Sequence, residues 1–145
     1  MALSGKKYGK DLVFKIDAQG GASLTDISAY VKSVDGLPGD VDMGDVTVGG
    51  SAGYKFLQGL PKADFSIECV FNDAASSAYA MLKDFMSDTT TRSFEYGPAG
   101  LTSGYVKISG ECVVKKMSLP AKATDPLIFT VDFALDGALT IGTWA

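Results

Sequence analysis

Apolar and polar residues alternate in several short segments of this chain, a pattern typical of β-strands with one buried face. It is clearest over residues 63–71, where every second residue from Phe65 to Phe71 is apolar. Segments 10–17, 92–96, 104–117 and 127–135 are also predicted to be strands. The residues expected to face inward are Leu12, Phe14, Ile16, Phe65, Ile67, Cys69, Phe71, Val106, Ile108, Cys112, Val114, Leu127, Phe129, Val131, Phe133 and Leu135.

Glycines mark two expected irregularities in these strands. Gly110 interrupts the segment 104–117 and predicts a bulge or bend there. Asp136-Gly137 is a tight hairpin signal, so residues 138–144 are expected to return as a terminal strand.

One segment has the three- and four-residue spacing of a helix. It spans about Ala74 to Met86, with Asp73 as its predicted N-cap. The predicted apolar face comprises Ala75, Ala78, Tyr79, Leu82, Phe85 and Met86. Residues 24–34 fit either a strand or a helix, and their β-branched content favours a strand.

The stretch from Gly36 to Lys62, which we call the arm, fits neither pattern. It holds seven of the chain's 17 glycines and two of its five prolines. Connections of this length inside a compact domain are usually functional or disordered. Because the arm is also rich in apolar residues, we expect it to pack against another copy of the protein.

These elements predict one mainly β (α+β) domain over residues 1–145, with residues 1–9 as a flexible lead. The expected architecture is an antiparallel β-sandwich or partial barrel of six to eight strands, flanked by one helix and carrying the arm as a long glycine-rich assembly loop.

Charge and hydropathy narrow the functional classes. The net charge of −4 and a pI near 4.7 argue against a surface that grips nucleic acid, which needs a basic stripe. The N-terminal residues resemble no secretory signal, and no apolar run is long enough for a membrane span. We therefore expect the protein to fold in the cytosol.

Cys69 and Cys112 lie in strand patterns without a metal-binding spacing, so we expect two reduced core thiols, with a disulfide as the alternative.

A search for catalytic and metal-binding motifs yields no convincing site. The sequence has no histidine, the commonest general base and a frequent metal ligand. Gly49-Gly50-Ser51-Ala52-Gly53 matches G-x-S-x-G, but no helix pattern follows it and no base is present, which argues against a nucleophile elbow. We therefore expect no catalytic residues, no cofactor and no enzyme activity.

An acidic run from Asp40 to Asp45 partly resembles a calcium loop. Its glycine falls at the fifth position and Ser51 occupies the twelfth, whereas an EF-hand needs glycine at the sixth and glutamate at the twelfth. An ordinary solvated turn is the favoured interpretation, and no metal site is predicted. Two further carboxylate pairs, Asp64 with Glu68 and Asp132 with Asp136, lie on outward strand faces with no reason to converge.

The predicted strands leave open sheet edges, and edge strands invite pairing with another chain unless they are protected. Proline is absent from segments 63–71, 104–117 and 127–135, so self-association through sheet edges in a closed ring is favoured. In the arm, the residues expected to be buried between subunits are Val41, Met43, Val46, Val48, Tyr54, Phe56, Leu57 and Leu60.

The order of elements resembles that of bacteriophage major tail tube proteins and of related tubes in gene transfer agents and injection systems. The resemblance spans about residues 10–143 and is carried by DISAYVKSVDGLPGDVDMGDVT, SSAYAMLKDFM and PLIFTVDFALDGALTIGT. It rests on pattern, without a diagnostic motif.

The resemblance implies a structural virion protein that forms six-membered rings, stacked into a tube through which genome DNA passes unbound. It further implies an inner β-barrel built from strands of every subunit and a long loop that reaches a neighbouring ring. The implied partners are other copies of the chain and the tape measure, tail terminator and baseplate or tip proteins; the implied location is the virion tail, assembled in the bacterial cytoplasm. We expect lumen-facing positions to carry net negative charge. The alternative is a β-sandwich that binds carbohydrate or a receptor.

Overall fold

A computed structural model describes residues 9–17, 23–74, 77–87 and 90–145. Within this part of the chain lie nine strands, one α-helix and three short 3₁₀ turns. The strands are β1 (Val13–Asp17), β2 (Leu24–Asp26), β3 (Val31–Asp35), β4 (Asp40–Asp45), β5 (Phe56–Lys62), β6 (Asp64–Val70), β7 (Arg92–Gly97), β8 (Val106–Ser118) and β9 (Ile128–Thr143). The helix α1 spans Ala78–Leu82, and the 3₁₀ turns span Gly9–Asp11, Ser28–Tyr30 and Phe85–Ser87.

Seven strands form one antiparallel sheet in the order β2-β1-β7-β8-β9-β6-β3, and β4 pairs with β5 in a separate hairpin. The sheet folds over on itself, because the Phe65 ring of β6 lies 4.8 Å from the Phe94 ring of β7, three strands away. One layer contains β2, β1, β7 and the start of β8; the other contains β3, β6 and the start of β9. The mainly β sandwich-like fold with one flanking helix is confirmed.

The core lies between these two layers and follows the predicted alternation. Its buried members from the predicted inward set are Phe14, Ile16, Phe65, Ile67, Cys69, Ile108, Cys112, Phe129, Val131 and Phe133. The other six predicted positions are only partly buried or, at Leu127, exposed, and all six lie towards strand ends or on the bent strands β8 and β9. Cys69 and Cys112 are both free and buried, as predicted.

The predicted bulge at Gly110 is present, since the register of β8 against β9 shifts between Ser109 and Glu111. The predicted hairpin at Asp136-Gly137 is wrong. β9 runs through both residues to Thr143 and, after the register shift at residues 137–139, pairs with β8 again from Thr140 to Thr143. Gly137 does adopt a positive φ of 87°, as a hairpin turn would need. Here this conformation bends β9 at the bulge, and the chain does not reverse.

The α-helix is shorter than the predicted span 74–86, and Asp73 is not its N-cap. It begins at Ala78 after Ser77, whose hydroxyl accepts a hydrogen bond from the Ala80 N–H (3.2 Å). Asn72 instead accepts a hydrogen bond from the Ala74 N–H, which satisfies the backbone before the helix. The predicted apolar face holds at Ala78, Leu82 and Phe85, which are buried; Tyr79 is half-buried, Met86 is exposed, and Ala75 lies outside the described residues.

Residues 24–34 form two strands separated by the 3₁₀ turn Ser28–Tyr30, so the preference for strand is right at both ends and wrong in the middle. β2 pairs with β1, and β3 pairs with β6. β2 and β3 are therefore the two edge strands of the sheet. The short turn between β2 and β3 therefore brings the two edges of the folded sheet together. Of the predicted flexible lead, residues 1–8 lie outside the described part of the chain and Gly9 begins a 3₁₀ turn.

Candidate assembly surface

The arm is a β-hairpin in the structure, which corrects the prediction that it lacks strands. β4 and β5 pair from Asp40↔Lys62 to Asp45↔Phe56, and residues 46–55 form the tip. A register shift between Val41 and Met43 explains why the sequence shows no sustained alternation, because the inserted residue moves side chains from one face to the other. The hairpin continues the β3–β6 pair beyond the body of the domain.

The root of the hairpin is held by two glycines with positive φ, Gly36 (101°) and Gly39 (97°). A Cβ atom at Gly36 would lie 2.9 Å from the Cα of Phe65, and one at Gly39 would lie 2.5 Å from the Cβ of Ala63. Both contacts are closer than real Cβ atoms approach their neighbours. Glycine is therefore required at both positions for the chain to leave β3 so close to β6.

The arm residues that were predicted to lie between subunits are solvent-exposed in the single chain, except Val41, which is half-buried. Tyr54 and Leu60 are each 81% exposed, and the Tyr54 and Phe56 rings lie 6.5 Å apart. Phe56 and Leu57 are consecutive in β5, so they point to opposite faces of the hairpin, and both are more than half exposed. The exposed apolar set is Met43, Val46, Val48, Tyr54, Phe56, Leu57 and Leu60.

Polar contacts order the start of the tip. Asp45 accepts a hydrogen bond from the Thr47 N–H (2.9 Å), and the Thr47 hydroxyl accepts one from the Lys55 N–H (2.9 Å) across the hairpin. Hydrogen bonding from the Thr47 side chain, and then from its backbone, holds the pKa of the exposed Asp45 carboxyl below its usual value. Together with Tyr54 and Phe56, these contacts give the tip a defined shape.

The residues of G-x-S-x-G lie at this tip, where Gly49 and Gly50 form a turn and no helix follows. The acidic run from Asp40 to Asp45 is distributed along β4, and Asp42 makes an ion pair with Lys62 (3.3 Å). The outward carboxylates Asp64 and Glu68 likewise form ion pairs, with Lys115 and Lys32 respectively. Among the described residues no group of three or more potential ligands could hold a metal ion.

A second feature was not predicted from the sequence. Trp144 lies over Gly97, where a Cβ would come within 2.8 Å of its indole nitrogen, and its ring faces the ammonium groups of Lys15 (5.3 Å) and Lys107 (5.1 Å). Val13, the strand partner of Gly97, is also buried, although the alternation predicts it on the outer face of the sheet. Trp144 thus packs against residues of its own chain.

No family model matches this sequence, and no curated protein matches it. Solved structures do. The chain superposes on the tail of an empty gene transfer agent particle refined with C6 symmetry with a TM-score of 0.73, at 20% identity, covering 95% of this chain and 100% of that chain. It superposes on the SPP1 tail tube with a TM-score of 0.71, at 9% identity over 95% and 80% of the two chains.

A third match is the sheath–tube complex of an extracellular contractile injection system, with a TM-score of 0.69 and 12% identity over 97% and 94% of the two chains. This chain has the fold of tail tube proteins. At identities of 9–20% the likeness is one of fold, and function has to be argued from the surfaces described above. Among the described residues there is no helix with the length and apolar character needed to cross a membrane.

Proposed function

We propose that this protein is a structural subunit of a tail tube: it assembles into stacked rings, six copies to a ring, and the tube conducts genome DNA. The observation that carries the proposal is the exposed arm on a tail tube fold. Exposed apolar patches of this kind mark interaction sites in soluble proteins. The proposed activity is assembly, and the protein is proposed to have no catalytic role and no cofactor.

The two-sided exposure of the arm favours an assembly role over binding of a small ligand. Because Phe56 and Leu57 point to opposite faces, covering both requires surfaces on both sides of the hairpin. A stacked ring provides such surfaces, since an arm that leaves one ring can insert between neighbouring subunits. The eight residues from Val41 to Leu60 named above are proposed to be buried there.

In this proposal the protein lies in the tail of a virion or a related particle, after assembly in the bacterial cytoplasm. Its proposed partners are other copies of itself and the tape measure, terminator and baseplate or tip proteins. The gene transfer agent tail to which it is similar has C6 symmetry. This symmetry supports six as the ring number.

Electron microscopy of the purified protein tests the proposal directly. Rings or tubes about six subunits around are expected as concentration rises. A protein that stays monomeric at every concentration and instead binds glycans would support the alternative, a carbohydrate- or receptor-binding sandwich. That alternative has little support here, because Trp144 packs on its own chain and the exposed aromatics of the described residues, Tyr54 and Phe56, lie on the arm.

The arm can be tested separately by shortening it. Val41 pairs with Pro61, so replacing residues 42–60 by a two-residue Gly-Ser turn keeps the first rung of the hairpin. We expect a folded monomer that no longer forms tubes, as measured by circular dichroism and sedimentation. The milder double variant Tyr54→Ser/Leu57→Ser should also lose assembly, whereas Leu101→Ser, an exposed apolar residue outside the arm, should retain it. Normal tubes from the shortened chain would contradict the role of the arm.

A further inference from the structure

The end of the sheet that lies farthest from the arm carries a second apolar surface. β6 and β8 end there, at Val70 and Ser118, and β9 begins there, at Ile128. The side chains of Val70, Leu119 and Leu127 at this end are between 38% and 44% exposed. A group of exposed apolar residues at one place on a soluble protein marks an interaction site, whereas isolated ones need no explanation.

A groove opens beside these residues, between α1 and the end of β8. It has a volume of about 190 Å³ and is lined by Tyr79, Lys83, Met117, Ser118, Leu119 and Phe129. Tyr79 and Phe129 meet edge to face, with ring centres 5.8 Å apart, and Lys83 is the one charged residue of the lining. Because a cavity of about 150 Å³ holds benzene, the groove is large enough for one aromatic side chain.

One face of the arm has a composition that matches this groove. Asp45 of β4 and Phe56 of β5 are directly opposite each other in the hairpin, so their side chains lie on the same face. The Tyr54 ring is stacked near that of Phe56 and extends this face. The arm thus presents aromatic rings beside a carboxylate, and the groove presents aromatic rings and a methionine beside an ammonium group. Both aromatic pairs and contacts of methionine sulfur with rings are favourable.

The arm and the groove lie at opposite ends of the same layer. β6 begins at Asp64, beside the root of the arm, and ends at Val70, beside the groove, a separation of about 20 Å at the usual rise of a strand. Because the hairpin extends away from the body at the first of these ends, the arm of a chain cannot reach the groove of that same chain. Contacts between two unlike surfaces are head-to-tail, and they repeat from copy to copy as rings or open stacks.

We propose that the face of the arm that carries Tyr54 and Phe56 docks in the groove between α1 and β8 of another copy of this chain, with Asp45 beside Lys83. This inference rests on the proposed assembly function and identifies the surface that receives the arm. The occupant is a second copy because the arm supplies both the apolar side chains and the charge that the groove lacks. Leu57, on the other face of the arm, is left to contact a different subunit.

Site-specific photo-cross-linking in assembled tubes tests the inference. A benzophenone amino acid in place of Phe56 should cross-link to peptides that contain Tyr79–Lys83 or Met117–Leu119, whereas the same group in place of Leu57, on the opposite face, should not. Tubes grown from a mixture of isotopically labelled and unlabelled protein distinguish cross-links between copies from those within one chain. Cross-links from position 56 to other peptides alone would overturn the inference while leaving tube assembly intact. If the unmodified protein forms neither rings nor tubes, the proposed function and the inference fail together.

A matched pair of variants gives a second test. Leu119 in the groove and Leu101 outside it are almost equally exposed, at 44% and 45%. Leu119→Asp should lose tube formation as judged by sedimentation, because it places a carboxylate where the aromatic face of the arm would dock, and Leu101→Asp should retain it. Both variants should melt close to the temperature of the parent protein, because both sites are exposed. Tubes formed by Leu119→Asp as readily as by Leu101→Asp would contradict docking in the groove.

Discussion

Arg92 is the one charged residue that is buried among those the structure describes, with 1% of its surface exposed. Its Nη1 donates to the Met81 carbonyl in α1 (2.6 Å), and its guanidinium lies 4.2 Å from the centre of the Phe85 ring. It therefore ties the helical segment to β7. Hydrogen bonds made by charged groups are stronger than neutral ones, so their loss from a buried site is costly.

Replacing Arg92 by methionine keeps an unbranched side chain but removes the donor to Met81. We expect the free energy of unfolding to fall by about 2–4 kcal/mol, measured by urea denaturation. Lys122→Ala is the control, because the ion pair of Lys122 with Asp125 is exposed and long (3.9 Å) and contributes little to stability. A loss no larger for Arg92→Met than for Lys122→Ala would show that Arg92 does not hold the helix.

The two cysteines give a prediction about reactivity. Burial, and then the neighbouring Glu68, raises the pKa of Cys69 to about 12; burial is also the main cause that raises the pKa of Cys112 above its usual range. Because the thiolate is the nucleophile that adds to a maleimide, both cysteines should be unreactive towards a maleimide at pH 8 in the folded protein and should react in urea. Rapid labelling of the folded protein would show that the core opens.

The same shifts determine the effect of pH on stability. Above the ordinary thiol pKa of 9.0 the unfolded chain loses these two protons while the folded chain retains them. The free energy of unfolding should therefore decrease as pH rises above 9. In the double variant Cys69→Ala/Cys112→Ala this alkaline decrease should be smaller. The difference separates the effect of the thiols from that of lysines and tyrosines, which ordinarily titrate in the same pH range.

Burial of single residues could be predicted from the sequence where the alternation is regular, as in β6. It could not be predicted at Val13, which by its position belongs to the outer face and is nevertheless buried. The packing of Trp144 over Gly97 and against Lys15 was not predicted either. Nothing in the local pattern of residues 10–17 encodes a contact with the far end of the chain. Arg92 was missed for a similar reason, since its acceptor is in another element.

At the scale of elements, the root of the arm yields a prediction. Alanine at Gly36 or Gly39 would force a positive φ on a residue with a side chain. Its Cβ would lie against β6 at position 36, and against Lys62 and Ala63 at position 39. We expect each variant to lose about 1–3 kcal/mol of unfolding free energy and to assemble poorly, because the arm would leave the body in a different direction. Denaturation and sedimentation measure the two effects.

Gly49→Ala and Gly53→Ala are matched controls in the same arm. Neither glycine has a neighbour within 4 Å of an added Cβ, and neither needs a positive φ. Both control variants should be as stable as the parent and should form tubes. If Gly36→Ala and Gly39→Ala behave like these controls, the root does not set the direction of the arm.

The wrongly predicted elements have one physical cause in common. A local signal, such as a turn glycine or a capping side chain, is present in each, but the folded chain uses it differently from the commonest case. Asp136-Gly137 supplies the positive φ of a hairpin turn, but Gly137 uses it to bend a strand that stays paired with β8. Asn72 and Ser77 accept hydrogen bonds from the Ala74 and Ala80 N–H groups respectively, and the N-cap is Ser77, not the predicted Asp73. In the arm, one inserted residue hides the alternation of two real strands.

For the molecule as a whole, the assembly surface was partly predictable. The apolar content of residues 36–62 was visible in the sequence and the structure exposes it, so the arm could be proposed from the sequence alone. The point at which β9 extends beyond its neighbour β6, after Ala134, could not be located, because it depends on how far β6 extends along β9. Strand lengths in a sheet are a property of the folded chain, and residues 127–143 do not encode where their neighbour ends.

The net charge of the proposed tube affects the passage of DNA through it. Each copy carries a net charge of −4, so a ring of identical subunits repels phosphates weakly and within about 10 Å at moderate salt. Assembled tubes should therefore not retain double-stranded DNA in a gel-shift assay, even at low ionic strength. Salt-dependent retention, or a basic lumen in a structure of the tube, would contradict a passive conduit.

Charge reversal can show which layer faces the lumen. Glu95 and Glu68 lie on the outward faces of the two different layers, and each is paired with a lysine, Lys107 (3.1 Å) and Lys32 (3.7 Å) respectively. Glu95→Lys and Glu68→Lys therefore add the same charge to the outward faces of the two layers. The variant that traps DNA inside the tube identifies the lumenal layer, because only there does the added lysine of every subunit in a ring converge on the phosphates. DNA held equally by both variants would place the contacts on the outer surface and would argue against a lumen lined by either layer.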